Sequence, residues 1–173
     1  MRVSIRKPTM GDSARFLSAA RASRTLHRPW VEAPSSVRAF TEYIERIRRP
    51  DHDACLVCLR NSGDLVGVFN FNNIIRGAFQ NAFLGFYAFA PHAGKGLMSE
   101  GLQLAVRYAF STLRVHRLEA NIQPRNTASV ALVRRCGFVR EGFSRAYLKV
   151  SGRWRGHERW ALVAEDWRSA RVA

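Results

Sequence analysis

Acidic side chains are scarce in this chain: 13 Asp and Glu stand against 28 Lys and Arg, a formal net charge of +15 on 173 residues. Such a surface argues against polycationic ligands such as aminoglycosides unless a local acidic pocket overrides the long-range field, and it attracts polyanions. The charge is almost wholly arginine and is spread along the chain, so it describes a basic surface and not a basic tail. Long apolar runs are missing as well. None approaches the roughly 20 residues of a membrane span, and the N-terminus lacks a signal-peptide pattern, so a cytoplasmic protein with no membrane partner is expected. There are only three cysteines, Cys55, Cys58 and Cys136. Cys55-x-x-Cys58 sits in a strand-like run, Ala54 to Leu59, where residues i and i+3 face opposite sides. The two sulfurs therefore diverge, and buried thiols are expected in place of a metal or redox pair. No repeat, low-complexity tract or linker breaks residues 1–173, which read as a single domain able to bury roughly two-thirds of its unfolded surface.

What the chain does have is concentrated between Asn81 and Phe138. The run Asn81 to Ala90 is aromatic-rich and reads as a buried strand, broken by Pro91-His92. Gly94-Lys95-Gly96 follows. Then Met98, Leu102, Ala105, Val106, Ala109 and Leu113 recur on one face of a helix. A strand thus feeds a glycine-bearing loop, and the loop opens onto a helix N-terminus whose first N–H groups lack internal partners. Phosphate binds well at such a place. The loop is neither a P-loop nor a dinucleotide fingerprint, since the third glycine position of the latter holds Ser99. On its own, Gly-Lys-Gly is as well explained by a surface loop. Arg117 to Ile122 alternates like a strand, and Asn126 is a suitable N-cap for a helix carrying Ala128, Val130, Ala131, Leu132 and Val133. Gly137 would end that helix.

Taken together, Gly94-Lys95-Gly96-Leu97-Met98-Ser99-Glu100, Leu118-Glu119-Ala120, Asn126-Thr127-Ala128-Ser129, Cys136-Gly137-Phe138 and Glu141-Gly142 resemble the GNAT superfamily of acetyl-CoA-dependent N-acetyltransferases. Within it they are most similar to the RimJ/RimL type, which acetylates ribosomal-protein N-termini. Their order and separation match, and the resemblance covers most of the chain, most weakly before Trp30. It implies an α/β fold of three layers, α-β-α, with a mixed, largely antiparallel sheet of six to seven strands flanked by about four helices.

The remaining segments agree with that plan. Arg2 to Lys7 reads as a strand, and Thr9 or Asp12 can cap a helix through Phe16, Leu17 and Ala20. The stretch Thr25 to Ser36, with Pro29 and Pro34, reads as a loop. Ser35 or Ser36 caps a helix through Val37, Phe40, Tyr43, Ile44 and Ile47. Ala54 to Arg60 and Leu65 to Asn70 form a hairpin around Asn61-Ser62-Gly63-Asp64, with Phe71 to Gly77 as an extension of its second strand. Ser144 to Val150 and Trp154 to Val163 form a last hairpin, and the tail after Glu165 is expected to be frayed or loosely packed.

Site residues follow from the resemblance. Backbone N–H groups of Ala93, Gly94, Lys95, Gly96, Leu97 and Met98 would surround the cofactor's pyrophosphate, with the Lys95 charge in addition. Pro91 stands where the family favours Gln or Arg, which removes one side-chain contact but not the backbone cradle. Main-chain groups of Tyr87, Ala88 and Phe89, at the end of a strand that splays from its neighbour in this family, would hold the pantetheine arm and the thioester carbonyl. Preorganised donors of this kind are typically the largest electrostatic contribution to acyl transfer. Asn126 is fully explained as a cap, with cofactor contact in addition. Ser129 matches the serine of the RimL branch that could protonate the leaving thiolate, although serine in a first turn also serves the backbone; the tyrosine that many relatives carry here is Val133. Trp30 matches an acceptor-site aromatic, with loop-pinning as the competing role, and His27 lies beside it. Histidines such as His27 and His52 are more often surface or hydrogen-bonded residues than catalysts.

No general base stands out. Glu119 is on a strand and faces either the cleft or the far side, Asp51 and Asp53 depend on the fold, and Tyr147-Leu148-Lys149 occupies the place of a carboxylate proposed in some relatives. The family's Trp-x-Asp has become Trp154-Arg155-Gly156. This gap favours an α-amine acceptor. At pKa ~8 such an amine is about a tenth neutral at pH 7, a penalty of ~1.4 kcal/mol, against roughly 4.6 kcal/mol for a lysine at ~10.4. The expected partners are therefore acetyl-CoA, a protein N-terminus or small-amine acceptor, the ribosome or RNA through the basic surface, and a second copy in a homodimer. No metal is expected. A second reading keeps the enzyme and makes the acceptor a small amine, amino acid or antibiotic. A third takes the basic surface as an RNA-binding module without catalysis, but RNA-recognition signatures are absent.

Overall fold

The computed structural model describes residues 1–169. Seven strands form one mixed sheet in the order β1-β2-β3-β4-β5-β7-β6. They are β1 (Val3–Arg6), β2 (Asp53–Leu59), β3 (Leu65–Ile75), β4 (Asn81–Ala88), β5 (Arg117–Ile122), β6 (Val139–Val150) and β7 (Arg153–Val163). Every neighbouring pair is antiparallel except β4 with β5. The helices are α1 (Ser13–Ala22), α2 (Arg24–His27), α3 (Val37–Ile47), α4 (Leu97–Tyr108), α5 (Thr127–Arg135) and α6 (Ala164–Ser169). Among the described residues no helix is long and apolar enough to cross a membrane.

The sheet is buried on both faces at β2. Its Cys55 and Val57 join the cluster beneath α4 and α5, whereas Ala54, Leu56 and Cys58 join Phe16, Phe40, Tyr43 and Phe89 beneath α1 and α3. Cys55 and Cys58 thus belong to opposite layers, as the period of two requires. Burial pushes the Cys55 thiol up to about 12, which leaves it an inert apolar side chain. The second cluster contains no residue of β5, β6 or β7, so beyond β4 that face of the sheet stays clear of α1 and α3.

Local chemistry sets the helix ends. Ser36 Oγ accepts from Ala39 N–H at 3.2 Å and starts α3. Asp12 accepts from Thr9 N–H at 2.8 Å and from the Arg6 guanidinium at 2.8 Å through Oδ2. These bonds hold its carboxyl below the ordinary carboxylate range, the Arg6 bond contributing most. Helix α4 packs directly on the sheet because Gly101 lies over Val57 and Phe69, where a Cβ would come within 2.9 Å of a Val57 methyl. Glu100 Oε1, 2.6 Å from Arg2 Nε, ties the start of α4 to β1.

Two sequence expectations need correction. The supposed loop from Thr25 begins as helix: α2 runs to His27, whose N–H bonds to Ser23 O at 2.9 Å. The tail is not frayed as far as it is described. Helix α6 follows β7 without a break, and Trp167 stacks on Phe110 with ring centroids 5.4 Å apart. Periodicity could not reveal this, since α6 is only six residues long; the remainder of the tail lies outside the described residues.

Candidate active site

Strands β4 and β5 run side by side for only three residues, Asn81–Phe83 against Arg117–Glu119. Beyond Phe83, β4 stays on β3 while β5 stays on β7, so the two part company in the middle of the sheet. Phe89 N–H bonds to Val66 O at 2.8 Å, and Tyr87 is paired with Val68. Alternation along this antiparallel pair then turns the main-chain groups of Leu84, Phe86 and Ala88 the other way, toward the space that β5 has left. One of them is already taken: Ala88 O lies 2.8 Å from His27 Nε2, which must carry the proton. The rest form a row of donors and acceptors along one wall of a cavity of about 550 Å³.

The loop and α4 close one end of that cavity. Gly94 and Gly96 have φ of +73° and +75°, a conformation that side-chain-bearing residues reach only with strain. Among the described residues, the N–H groups of Gly94, Gly96, Leu97 and Met98 have no hydrogen-bond acceptor. Arg135, at the end of α5, adds a positive charge here, with Nη1 3.2 Å from Ser99 Oγ. Free amides, a helix N-terminus and a guanidinium suit a pyrophosphate. Gly67 holds the floor: a Cβ there would fall 2.5 Å from Met98 Sδ and 2.6 Å from Tyr87 O. Opposite, Asn126 caps α5 by accepting from Ser129 N–H at 3.2 Å. The Ser129 hydroxyl has no partner among the described residues and stands on the cavity wall.

Most of the residues singled out in the sequence meet here. Tyr87, Ala88, Ala93, Gly94, Gly96, Leu97, Met98, Asn126, Ser129, His27 and Trp30 all line the cavity. Three do not. Phe89 turns its N–H to Val66 and its ring into the core. Lys95 folds back, with Nζ 2.8 Å from Pro91 O. Glu119 is buried against Arg117 at 3.0 Å, and Arg117 also holds Glu141, so the glutamate is committed to an ion pair outside the lining. Asp53 is likewise spent, on Lys7 Nζ at 2.9 Å and the Tyr108 hydroxyl at 2.8 Å.

A residue that sequence reasoning passed over stands in the lining, His157 of β7. It is buried, and its Nδ1 donates to Arg155 O at 3.0 Å, which leaves Nε2 as the free basic atom of the neutral ring. Desolvation holds its pKa below the ordinary histidine value, so the ring is neutral at pH 7. Asn121 also lines the cavity, with a buried Oδ1 that lacks a partner. The only sequence signal for His157 is its place three residues after Trp154, which becomes informative once β7 is known to continue past the end of β5.

The family model described as "Acetyltransferase (GNAT) domain" matches residues 2–139. The chain belongs to the GNAT acetyltransferase family. It is an N-acetyltransferase, and its acyl donor is acetyl-CoA. Over 108 residues it is 42% identical to the [ribosomal protein uS5]-alanine N-acetyltransferase of Escherichia coli, covering 62% of this chain and 56% of that protein. Over 168 residues it is 28% identical to the spermidine N(1)-acetyltransferase of Vibrio cholerae, covering 93% and 92%. RimJ of Mycobacterium smegmatis, solved in complex with CoA-disulfide, superposes with a TM-score of 0.87 at 26% identity, over 95% of this chain and 83% of that one.

Proposed function

We propose that the acceptor is the N-terminal α-amine of a protein, with a ribosomal protein as first choice. One observation carries this reading: neither Asp nor Glu lines the cavity, and the bases that do are histidines, with the neutral, buried imidazole of His157 first among them. A weak base suits an amine already partly neutral at pH 7. The similarity to a uS5-alanine acetyltransferase and the +15 charge, which would draw the enzyme to ribosomal RNA, support the same choice.

The residues divide the work as follows. Gly94, Gly96, Leu97 and Met98 amides and Arg135 bind the donor's phosphates, and the outward-facing groups of Leu84, Phe86 and Ala88 align the pantetheine arm. Acetyl-CoA, when bound, supplies a thioester whose sulfur is already a fair leaving group. The main-chain donors of β4 stabilise the oxygen that gains negative charge as the amine attacks. His157 Nε2 takes the amine proton, and the Ser129 hydroxyl donates to the departing sulfur. Trp30 and His27 form the acceptor side, His27 chiefly by holding Ala88 in place.

The spermidine enzyme among the relatives keeps a small-amine reading in view, but a cavity without carboxylates offers a polycation no counter-charge. The deciding experiment compares acetylation of an Ala-initiated peptide, the same peptide N-terminally blocked but carrying a lysine, and spermidine, with products located by mass spectrometry. Modification of the free α-amine in clear preference is expected. Efficient turnover of spermidine with none of the peptide would overturn the reading.

A further inference from the structure

Beside the main cavity lies a smaller one of about 410 Å³, lined by Pro29, Trp30, Gln123, Arg125 and Arg155. Trp30 and Gln123 line both cavities, so the smaller one is a side chamber of the acceptor end. Arg125 lies on the turn after β5, and Arg155 is on β7 two residues before His157. Residues two apart on a strand share a face, so Arg155 projects on the same side as His157.

Several arginines of β5, β6 and β7 are already engaged. Arg117 is held by Glu119 and Glu141, Arg140 by Glu158 at 3.0 Å, and Arg159 by the Ser144 hydroxyl at 2.8 Å. Arg125 and Arg155 are exposed, and among the described residues neither guanidinium has a hydrogen-bond or ion-pair partner. No Asp or Glu lines the chamber. Two uncompensated planar forks at the mouth of an acceptor cavity favour a carboxylate, which each can grip with two parallel bonds, and they repel a second cation on the acceptor.

We propose that this chamber binds an acidic side chain of the acceptor, so that the enzyme selects α-amines followed within a few residues by Asp or Glu. The inference rests on the α-amine reading and narrows it. An extended peptide advances roughly 3.4 Å per residue, so its amine can occupy the main cavity while an early side chain enters a chamber that shares Trp30 with it.

The test is a set of Ala-initiated peptides carrying Glu, Gln or Lys at each of positions two to five, assayed at low and high salt. Glu at one position should exceed Gln by about tenfold in kcat/KM, with Lys poorer still, and salt should shrink the preference, because exposed pairs are screened. In the double variant R125Q/R155Q the Glu-to-Gln ratio should fall toward one, and in R125Q or R155Q alone it should fall about threefold. Equal rates for Glu, Gln and Lys peptides would overturn the chamber's role while leaving α-amine transfer intact. So would a Glu preference that survives in the double variant. No turnover of any peptide, with spermidine acetylated, would remove both readings.

Discussion

His27 Nε2 stands 2.8 Å from Ala88 O, joining the end of α2 to the free edge of β4. The ring also packs edge-on against Tyr87, with centroids 5.1 Å apart. Nearby, Ala90 N–H donates to Ser23 Oγ at 2.9 Å. Two side chains from the α1–α2 corner therefore tie down the end of β4 on the acceptor side of the cavity.

Removing that tie should cost both stability and rate. H27A leaves the carbonyl of half-buried Ala88 without its partner, worth about 1 kcal/mol, and frees the β4 edge. A lower Tm and a lower kcat/KM for both substrates are expected. H27Q, which can still donate to the carbonyl, should recover part of each. Normal kinetics in H27A would show that the bond does not position the edge.

The loop glycines should act on the donor alone. Gly94 has nothing within 4 Å of where a Cβ would sit, so G94A introduces backbone strain without a clash, about 1–2 kcal/mol. KM for acetyl-CoA should rise roughly tenfold, with acceptor KM little changed. Calorimetric titration with coenzyme A gives the same comparison without turnover.

Gly67 is a sterner case. In G67A the new methyl meets the flexible Met98 thioether, which can move, and the Tyr87 carbonyl at 2.6 Å, which cannot. Overpacking of this kind costs about 1–3 kcal/mol. Thermal unfolding should show the loss, and affinity for coenzyme A should fall with it because Met98 belongs to the first turn of α4.

His157 predicts two pH effects. Its pKa is lowered in the folded protein by desolvation, so the unfolded chain holds more protons as pH falls below about 6.5. Stability should therefore decline with falling pH, from the unfolded value near 6.5 down to the depressed folded value. H157Q should abolish that component in a pH series of unfolding curves. As the proposed proton acceptor it should also shape the acid limb of kcat/KM, which H157Q should flatten while lowering the plateau. An unchanged profile would remove His157 from the chemistry.

Ser129 is tested most directly in single turnover. S129A should slow acetyl transfer by no more than about tenfold, because the thiol leaves readily without much help. An unaltered rate would assign the hydroxyl to the helix turn only.

The sequence by itself determined the parts of this enzyme that depend on local pattern. Glycines at 94 and 96 ahead of a long amphipathic helix, the Asn126 cap, and a β2 strand apolar on both faces are short-range statements, and helix and strand periodicity expresses them directly. Tertiary structure decided everything that depends on what a strand meets. Glu119 was an open choice because alternation puts it on the same face as Arg117 but does not say whether that face meets the cleft. His157 and Arg155 were invisible because β7 reaches the site only by pairing beside β5, about 35 residues earlier in the chain. The parting of β4 from β5 leaves no trace in either strand's composition, since both remain paired on their other sides; it exists only in the register between them.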